Sequence, residues 1–375
     1  MEIVNLLFAL IFINYVIFIG LLIWGFSKIK SFKKTASENK TSFSVVIPFR
    51  NEEKKLPELL ESFSHLKYPK EQFELIFVND ASSDESERTI NRWRMENPWI
   101  HLTILDNVRI SKSPKKDAIQ RAVTIAKNPW IITTDADCEV QPEWLTTYDN
   151  YIQNNEVEMI AGAVRFPSRG LLLSHFQQLD LLSLQGATIG SFGLKEAFMC
   201  NGANFAYTKK LFWDLEGFKG NNHIASGDDV FLLQKAMAKV PKKVHYLKAK
   251  EAIVTTKPEK SWAKLFKQRV RWASKATAYQ SDFSKGLAII VLLANLSLLI
   301  GALLVIFGLM SWQLLTVLFG IKFLIDFFLM YKTNKFLGMR LYSAPISAII
   351  YPIFSTVVAI YSLIGGFEWK RENIK

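Results

Sequence analysis

Four long apolar stretches constrain this chain more than any other feature of its sequence. They lie at Ile3–Phe26 and at approximately 286–310, 313–331 and 342–366, and residues 286–310 and 341–367 carry no charge. A helix of about 20 apolar residues crosses a hydrocarbon core of about 30 Å. The sequence therefore predicts four membrane-spanning helices, and it excludes both a disordered chain and an ordinary soluble globular protein.

The first stretch has the features of an uncleaved anchor instead of a signal peptide. Glu2 precedes it where a signal peptide carries basic residues, no clear small-x-small cleavage site follows, and four lysines come next: Lys28, Lys30, Lys33 and Lys34. Basic residues favour the cytoplasmic side of a membrane. We therefore expect an anchor over 1–27 in a plasma or inner membrane, with its N-terminus outside and the following chain in the cytoplasm.

The C-terminal stretches are harder to orient. The basic link at 332–340 should be cytoplasmic, and strict alternation then places the basic tail at 369–371 outside, against the usual charge distribution. Pro345 and Pro352 make the last stretch the candidate for an irregular or re-entrant segment. We assign 285–367 to C-terminal transmembrane helices.

Residues 41–255 have the pattern of an α/β domain, because apolar runs of strand length alternate with helical patterns. The predicted strands and helices are Phe43–Pro48, Leu56–Phe63 (helix), Phe73–Val78, Leu102–Leu105, 114–127 (helix) and Trp130–Thr134. This alternation favours a mostly parallel sheet. Ligands gather at the carboxyl ends of such strands, so the residues just after each strand are candidates for chemistry.

The two cysteines and the net charge exclude several classes. Cys138 and Cys200 make no disulfide framework and lack the Cys/His spacing of a structural zinc site. The chain has 46 Lys and Arg against 34 Asp and Glu, a formal net charge of +12. Membrane-proximal segments account for that charge, so it predicts no nucleic-acid partner.

Asp135 and Asp137 follow the strand at 130–134. In an extended segment residues i and i+2 project to the same side, so two carboxylates can hold one divalent cation. Mg²⁺ or Mn²⁺ suits such oxygen ligands and completes its coordination with water and phosphate oxygens. The alternative is a turn in which the Asp side chains bond to their own backbone.

Two further strand ends favour the cation site over the turn. VVIPFRNEE occupies 45–53 and VNDASSD occupies 78–84. With the D-x-D, they resemble family 2 glycosyltransferases, whose catalytic domain has the GT-A fold, a nucleotide-sugar-binding α/β sandwich. The resemblance implies that Pro48, Asn51, Glu52 and Asp80 line the donor site. This chain has Asn79 where the family pattern has its first acid.

The resemblance continues at Lys115, which matches the lysine of a G-K-x-x-A stretch, although Pro114 takes the place of the glycine. It implies that Lys115 and Asp135 approach the nucleotide or its diphosphate. The alternative for Lys115 is a solvated, basic helix start.

The segment at 198–205 is similar to the family segment on the acceptor side of the cleft, which implies acceptor contacts at Cys200, Asn201 and Gly202. Asn-Gly is also an ordinary turn signal.

Asp229 falls on the final Asp of the family's E-D motif, and the resemblance implies that it is the catalytic base. Asp228 is the second candidate for that role. Ser226 and Asp229 also have capping-box spacing, and both interpretations can hold together.

Residues 256–284 contain Q-x-x-R-W at Gln268, Arg271 and Trp272, a pattern of membrane-bound members of the family. The resemblance implies that these residues close over the diphosphate and that Trp272 flanks the acceptor. The basic and aromatic residues of this region also suit an amphipathic helix on anionic lipid. We expect the helix to do both.

Together these features predict a metal-dependent inverting glycosyltransferase that moves a sugar from a nucleoside diphosphate sugar, a UDP-sugar by preference, to a lipid or lipid-linked acceptor. A processive polysaccharide synthase is the alternative, and four membrane segments are few for an export channel unless an oligomer supplies more. A non-catalytic, nucleotide-sensing transport component and a catalytically dead scaffold are the alternatives of other classes.

Overall fold

The computed structural model describes residues 2–35, 38–167, 170–222, 224, 226–275, 281–364, 367–369 and 372–374. The chain forms two compact units. The sheet unit comprises 30–167 and 199–257, and the helical unit comprises 1–29, 168–198 and 258–375. The predicted catalytic domain over 41–255 stays a prediction as a functional unit; its residues 168–198 group with the apolar helices.

The strands are β1 (Phe43–Phe49), β2 (Phe73–Asn79), β3 (His101–Asp106), β4 (Trp130–Thr133), β5 (Cys138–Glu139), β6 (Met159–Gly162), β7 (Val164–Arg165), β8 (Phe205–Thr208), β9 (Val244–Leu247), β10 (Val254–Thr256), β11 (Phe367–Trp369) and β12 (Glu372–Ile374). The helices are α1 (Glu2–Lys28), α2 (Leu56–Ser64), α3 (Ser86–Glu96), α4 (Pro114–Ile125), α5 (Trp144–Gln153), α6 (Leu172–Gly193), α7 (Lys209–Asp214), α8 (Val230–Lys239), α9 (Trp262–Ala273), α10 (Asp282–Ile306), α11 (Trp312–Leu337) and α12 (Ala344–Ile364).

The sheet unit is built on a mostly parallel sheet, as the alternating pattern predicts. Its order is β3-β2-β1-β4-β8-β6-β9. The first four strands of this order are mutually parallel, β6 and β9 are parallel, and β8 is antiparallel to both its neighbours. A smaller sheet has the order β5-β10-β7. All four strands predicted from the sequence are present.

Burial explains why these segments form strands and helices. All seven residues of β2 are buried, as expected for an inner strand covered on both faces. Helix α2 buries Leu56, Leu59, Leu60 and Phe63, which recur on one face of a helix and join the core that contains Val45. Each such side chain contributes about 1.5–3 kcal/mol by leaving water.

The topology brings several loops to one edge. The parallel strands β1 to β4 all end there, and β8 begins there because Phe205 pairs with Thr133 in antiparallel register. The short 3₁₀ helix Gly202–Asn204 directly precedes β8. The Asn-Gly segment therefore lies at the same edge as the D-x-D that follows β4.

The helical unit contains four helices that are long and apolar enough to cross a membrane: α1, α10, α11 and α12. These helices are those of a membrane protein, as the sequence predicts. The expectation of an irregular last segment is wrong, since α12 continues through Pro352. Pro345 lies in the first helical turn, where its missing N–H costs little. Of the basic tail, Lys370 and Arg371 lie outside the described residues.

Glycines bring two helices of this unit into backbone contact. A Cβ on Gly190 would lie 2.4 Å from the Leu22 carbonyl oxygen, and one on Gly193 would lie 1.9 Å from the Gly25 carbonyl oxygen. Since α1 contains Leu22 and Gly25, only glycine permits this separation from α6. Small residues serve the same purpose at helix contacts within membranes.

One pair of charges lies in the middle of α11. Lys322 Nζ donates to Asp326 Oδ2 at 2.6 Å, and the Tyr15 hydroxyl of α1 donates to Asp326 Oδ1 at 2.6 Å. Lys322 is 5% exposed. The two charges offset each other, which is the usual condition for charged groups at membrane depth.

Candidate active site

The loop after β1 is bonded to the turn after β2. The Asn51 amide donates to Ser82 Oγ at 3.1 Å, and the Ser83 amide donates to Asn51 Oδ1 at 2.8 Å. Asn51 has φ 54°, a left-handed conformation that Asn tolerates better than most residues. The Glu52 amide donates to Ser86 Oγ at 2.8 Å. Asn51 and Glu52 thus bond the loop that follows Pro48–Phe49 to the turn after β2 and the start of α3.

Asp80 lies just beyond β2 and is 3% exposed. Arg109 Nε donates to Asp80 Oδ1 and Arg109 Nη2 donates to Oδ2, both at 2.8 Å, and Asn107 Nδ2 donates to Oδ1 at 2.8 Å. Paired, parallel hydrogen bonds of this kind fix a carboxylate in both position and plane. Asp80 is therefore held in place at the edge of the sheet.

Lys115 connects the D-x-D with the acids before α8. Its Nζ lies 2.8 Å from Asp135 Oδ1 and 3.3 Å from Asp228 Oδ2. Burial disfavours the charged amine, but the carboxylates Asp135 and Asp228 more than offset it, and the pKa of Lys115 is raised. The lysine is thus a bound cation and not part of a solvated helix start.

Asp229 caps α8 and also reaches the Asn-Gly segment. The Val230 amide donates to Asp229 Oδ1 at 2.8 Å, and the Gly202 amide donates to Oδ2 at 2.9 Å. A Cβ at Gly202 would lie 2.9 Å from Asp228 Oδ2, so a side chain there would press on the acid pair. Asp228, Asp229 and Gly202 therefore form one closely packed group beside Lys115.

Asp137 has a lysine of its own. Lys55 Nζ lies 3.1 Å from Asp137 Oδ2 and 3.3 Å from Glu52 Oε2. Burial raises the pKa of Asp137; Lys55 opposes that shift, while the negative charges of Asp135 and Glu52 add to it. The pKa of Lys55 is raised, because Asp137 and Glu52 outweigh the burial of its amine.

This donor set fits a divalent cation that also binds phosphate. Within the described ranges, no group of three or more His, Cys, Asp or Glu side chains is placed to hold a metal ion. Asp135 and Asp137 would therefore need further oxygen ligands from a ligand or from water, as Mg²⁺ commonly does. Burial is the main cause of the raised pKa of Asp137, and the negative charges of Asp135 and Glu52 add to it; a bound cation would offset those charges.

The remaining predicted acceptor residues are built into the fold. Asn201 Oδ1 accepts from the Ala203 amide at 3.0 Å and begins the 3₁₀ helix, and Cys200 is buried.

Lys116, next to the predicted Lys115, is 1% exposed and donates to the carbonyls of Asn221 and Ile224 at 2.6 and 2.9 Å. It thereby fixes the loop that leads to the acid pair.

The Q-x-x-R-W residues lie in α9 of the helical unit. Gln268 Nε2 donates to Glu259 Oε1 at 3.2 Å, and Arg269 donates to Gln268 Oε1. The Arg269 guanidinium lies 4.2 Å from the centre of the Trp272 ring, and its Nε donates to Asp180 Oδ2 at 2.5 Å. The predicted closure of the donor site by Gln268, Arg271 and Trp272 stays a prediction.

Sequence reasoning missed several of these residues. Asn107 and Arg109 follow β3, and the rule that selects the other strand ends would find them if it were applied to that strand. For Lys55, only its position three residues after Glu52 in the sequence could indicate a role at this site. Arg269 is one of the basic residues of the predicted amphipathic region, but it is 6% exposed and paired with Asp180.

The chain was compared with known protein families and curated proteins. Residues 44–216 match the model of Glycosyl transferase family 2. The undecaprenyl-phosphate 4-deoxy-4-formamido-L-arabinose transferase of Proteus mirabilis (strain HI4320) is 35% identical over 102 residues, which cover 27% of this chain and 30% of the relative. The poly-beta-1,6-N-acetyl-D-glucosamine synthase of Staphylococcus aureus (strain COL) is 24% identical over 230 residues, covering 60% and 52%.

The matched regions cover 21%, 54% and 60% of the length of the first three curated relatives, so the chain spans only part of each. Among solved structures, the mannosyltransferase PcManGT from Pyrobaculum calidifontis, in complex with GDP-Man and Mn²⁺, aligns with a TM-score of 0.61 at 16% identity. The alignment covers 94% of this chain and 99% of that one. At that identity the likeness establishes the fold.

The predicted fold is confirmed: an α/β unit with a mostly parallel sheet, accompanied by apolar helices. The family predicted from the strand-end motifs is also confirmed, over the range that contains β1 to β8. Over residues 44–216 this chain matches Glycosyl transferase family 2, and its sheet unit has the GT-A fold.

Proposed function

We propose that the chain transfers a sugar, with inversion, from a nucleoside diphosphate sugar to a lipid or lipid-linked acceptor. The observation that carries the proposal is the convergence at one edge of the sheet: Lys115 joins Asp135 to Asp228, and Asp229 bonds to Gly202 beside them. The proposed base Asp229, the proposed cation ligand Asp135 and the Lys115 ammonium group therefore belong to one cluster of contacts.

The donor is held from two sides in this proposal. Asp80, fixed by Arg109, contacts the nucleoside, while Lys115 offsets negative charge on the diphosphate as the sugar leaves. Asp135 and Asp137 would hold a Mg²⁺ or Mn²⁺ ion, which supplies further positive charge to the diphosphate when bound. We propose a UDP-sugar as the donor, and Gln268, Arg271 and Trp272 as residues that close over it.

Asp229 acts as the general base. The acceptor hydroxyl gives its proton to the Asp229 carboxylate while its oxygen attacks the anomeric carbon, and the bond from that carbon to the diphosphate breaks with inversion. Each carboxylate oxygen of Asp229 accepts one backbone N–H. The cap of α8 thus orients the base.

The membrane helices support a lipid or lipid-linked acceptor, since they keep the enzyme where such a substrate is dissolved. The lysines that follow α1 favour a cytoplasmic sheet unit. One curated relative is named for transfer to undecaprenyl phosphate and another for synthesis of a polysaccharide. The same cluster could serve either acceptor, so product size is the deciding observation.

The test is a donor screen with the full-length protein in detergent. Labelled UDP-sugars and GDP-mannose are supplied with Mn²⁺, with and without polyprenyl phosphate or membrane lipid, and nucleoside diphosphate release is followed. The expected product is short, soluble in organic solvent and dependent on the lipid. A long insoluble polymer would replace the lipid acceptor with processive synthesis, and no release with any donor would refute the proposal.

The matched variants are Asp229→Asn and Asp214→Asn. Asparagine is a good N-cap residue, so Asp229→Asn should fold while losing transfer by about 10²–10⁴-fold. Asp214 is exposed and pairs with Lys210 on the surface, so the same chemical change there should leave transfer unchanged. Equal activity of the two variants would remove Asp229 from the mechanism.

A further inference from the structure

Both acids of the D-x-D are paired with a lysine, and the two pairs differ in their surroundings. Lys115 lies between Asp135 and Asp228, and the Lys115 and Asp228 side chains are 25% and 10% exposed. Lys55 lies between Asp137 and Glu52, and its side chain is 38% exposed. Lys55 is thus the more accessible of the two ammonium groups at the proposed cation site.

The position of Lys55 has a direct electrostatic consequence. A divalent ion on Asp137 would compete with the Lys55 ammonium for Oδ2, which lies 3.1 Å from Nζ, and would also be repelled by its charge. One unit charge about 5 Å from a divalent ion alters its affinity roughly ten-fold even at the dielectric constant of water. The protein by itself should therefore bind the ion weakly.

A diphosphate changes this balance, because it offers Lys55 a new anionic partner and brings further oxygen ligands for the ion. Lys55 directly precedes α2, and its flexible stem can turn from one anion to another. Glu52 keeps a second carboxylate within its reach at 3.3 Å. The lysine can therefore leave Asp137 without becoming unpaired.

We propose that Lys55 is a positioning residue that occupies Asp137 until the donor arrives, so that cation and nucleoside diphosphate enter the site together. This rests on the proposed function, since it requires that the cluster bind a nucleoside diphosphate. It assigns a role to a residue outside the D-x-D and makes the cation site conditional on the donor.

The experiment measures Mn²⁺ binding and does not depend on turnover. Full-length wild type, Lys55→Met and Lys55→Gln are titrated with Mn²⁺ in detergent, with and without UDP, and free Mn²⁺ is followed by electron paramagnetic resonance. Lys54→Met is the matched control, because it removes the same charge from the adjacent exposed position. Thermal unfolding of each variant verifies that it is folded.

Without UDP, both Lys55 variants should bind Mn²⁺ about ten-fold more tightly than wild type, while Lys54→Met should match wild type. The ratio of the Mn²⁺ dissociation constants without and with UDP should be largest in wild type and should fall in the Lys55 variants. Unchanged or weaker Mn²⁺ binding by both Lys55 variants, or an unchanged ratio, overturns the proposal.

These outcomes separate this inference from the proposed function. If wild type binds Mn²⁺ and UDP together while the Lys55 variants behave as wild type, only the role of Lys55 fails. If no variant binds Mn²⁺ even with UDP, both the role of Lys55 and the metal-dependent transfer fail.

Discussion

The buried ion pair between Arg269 and Asp180 gives the sharpest test of how the helical unit is held together. The Arg269 and Asp180 side chains are 6% and 5% exposed, and Arg269 Nε lies 2.5 Å from Asp180 Oδ2. Replacing Asp180 with leucine leaves a guanidinium without its counter-ion in a site closed to water. Removal of one partner from a buried pair costs about 3–5 kcal/mol.

Removing both charges should cost far less. Buried pairs replaced by apolar residues of similar volume are often neutral or stabilising by about 1–4 kcal/mol. We therefore expect Asp180→Leu to lower the unfolding temperature by roughly 6–10 °C, and the double variant Asp180→Leu/Arg269→Met to recover most of that loss. Thermal scans in one detergent, at one scan rate, followed by tryptophan fluorescence, make the comparison.

The same variants test the motif helix. Arg269 donates to Gln268 and stacks on Trp272, so the double variant should fold well yet lose sugar transfer. If the double variant is as unstable as Asp180→Leu, the loss comes from side-chain packing and the electrostatic reasoning is wrong. If Asp180→Leu unfolds at the wild-type temperature, the pair does not hold α9 to α6.

Three further predictions follow from single contacts. Arg109→Ala should destabilise the sheet unit by about 2–3 kcal/mol, because Asp80 loses two charge-assisted hydrogen bonds; Arg109→Lys should recover less than half of this in chemical denaturation, and full recovery would contradict the paired geometry. Gly193→Ala should lower the unfolding temperature strongly, since its Cβ would lie 1.9 Å from a backbone oxygen, whereas Gly20→Ala, with nothing within 4 Å, should be neutral or stabilising by up to about 1 kcal/mol; equal effects would refute the close helix contact. The pKa of Asp137 is raised above 3.8 in the folded chain, so stability falls as pH rises from the unfolded-state pKa through the folded-state pKa. Asp137→Asn should therefore unfold at a higher temperature than wild type at pH 7, and the difference should shrink towards pH 4. If Asp137→Asn unfolds at a lower temperature than wild type at pH 7, the ion pair of Asp137 with Lys55 dominates.

The sequence predicts the sheet well because its signals are local. The apolar runs at 43–48 and 73–78 have strand length and form buried strands, and polar residues follow each of them directly. The edge at which they end follows from parallel pairing alone. Asp135 and Gly202, which are far apart in the chain, share that edge because β8 is antiparallel to β4, and no local pattern specifies that pairing.

The lysines show what a sequence cannot specify. Lys54, Lys55, Lys115 and Lys116 are two pairs of neighbouring lysines with the same charge, yet one is exposed, two bind carboxylates at the edge of the sheet and one is buried on backbone carbonyls. Which of them turns inward depends on the loops that pack against the helix starts. Those loops come from distant segments, so the distinction belongs to tertiary structure.

The hydroxyl of Tyr15 and the carboxylate that accepts its hydrogen bond are separated by 311 positions along the chain. During synthesis, α1 is therefore made long before α11, and until then the Tyr15 hydroxyl lacks the carboxylate that accepts its hydrogen bond. The later helix brings Lys322 and Asp326 as a self-neutralised couple one turn apart, which lowers the cost of its insertion. The hydrogen bond that joins α1 to α11 can therefore form only once α11 has been made.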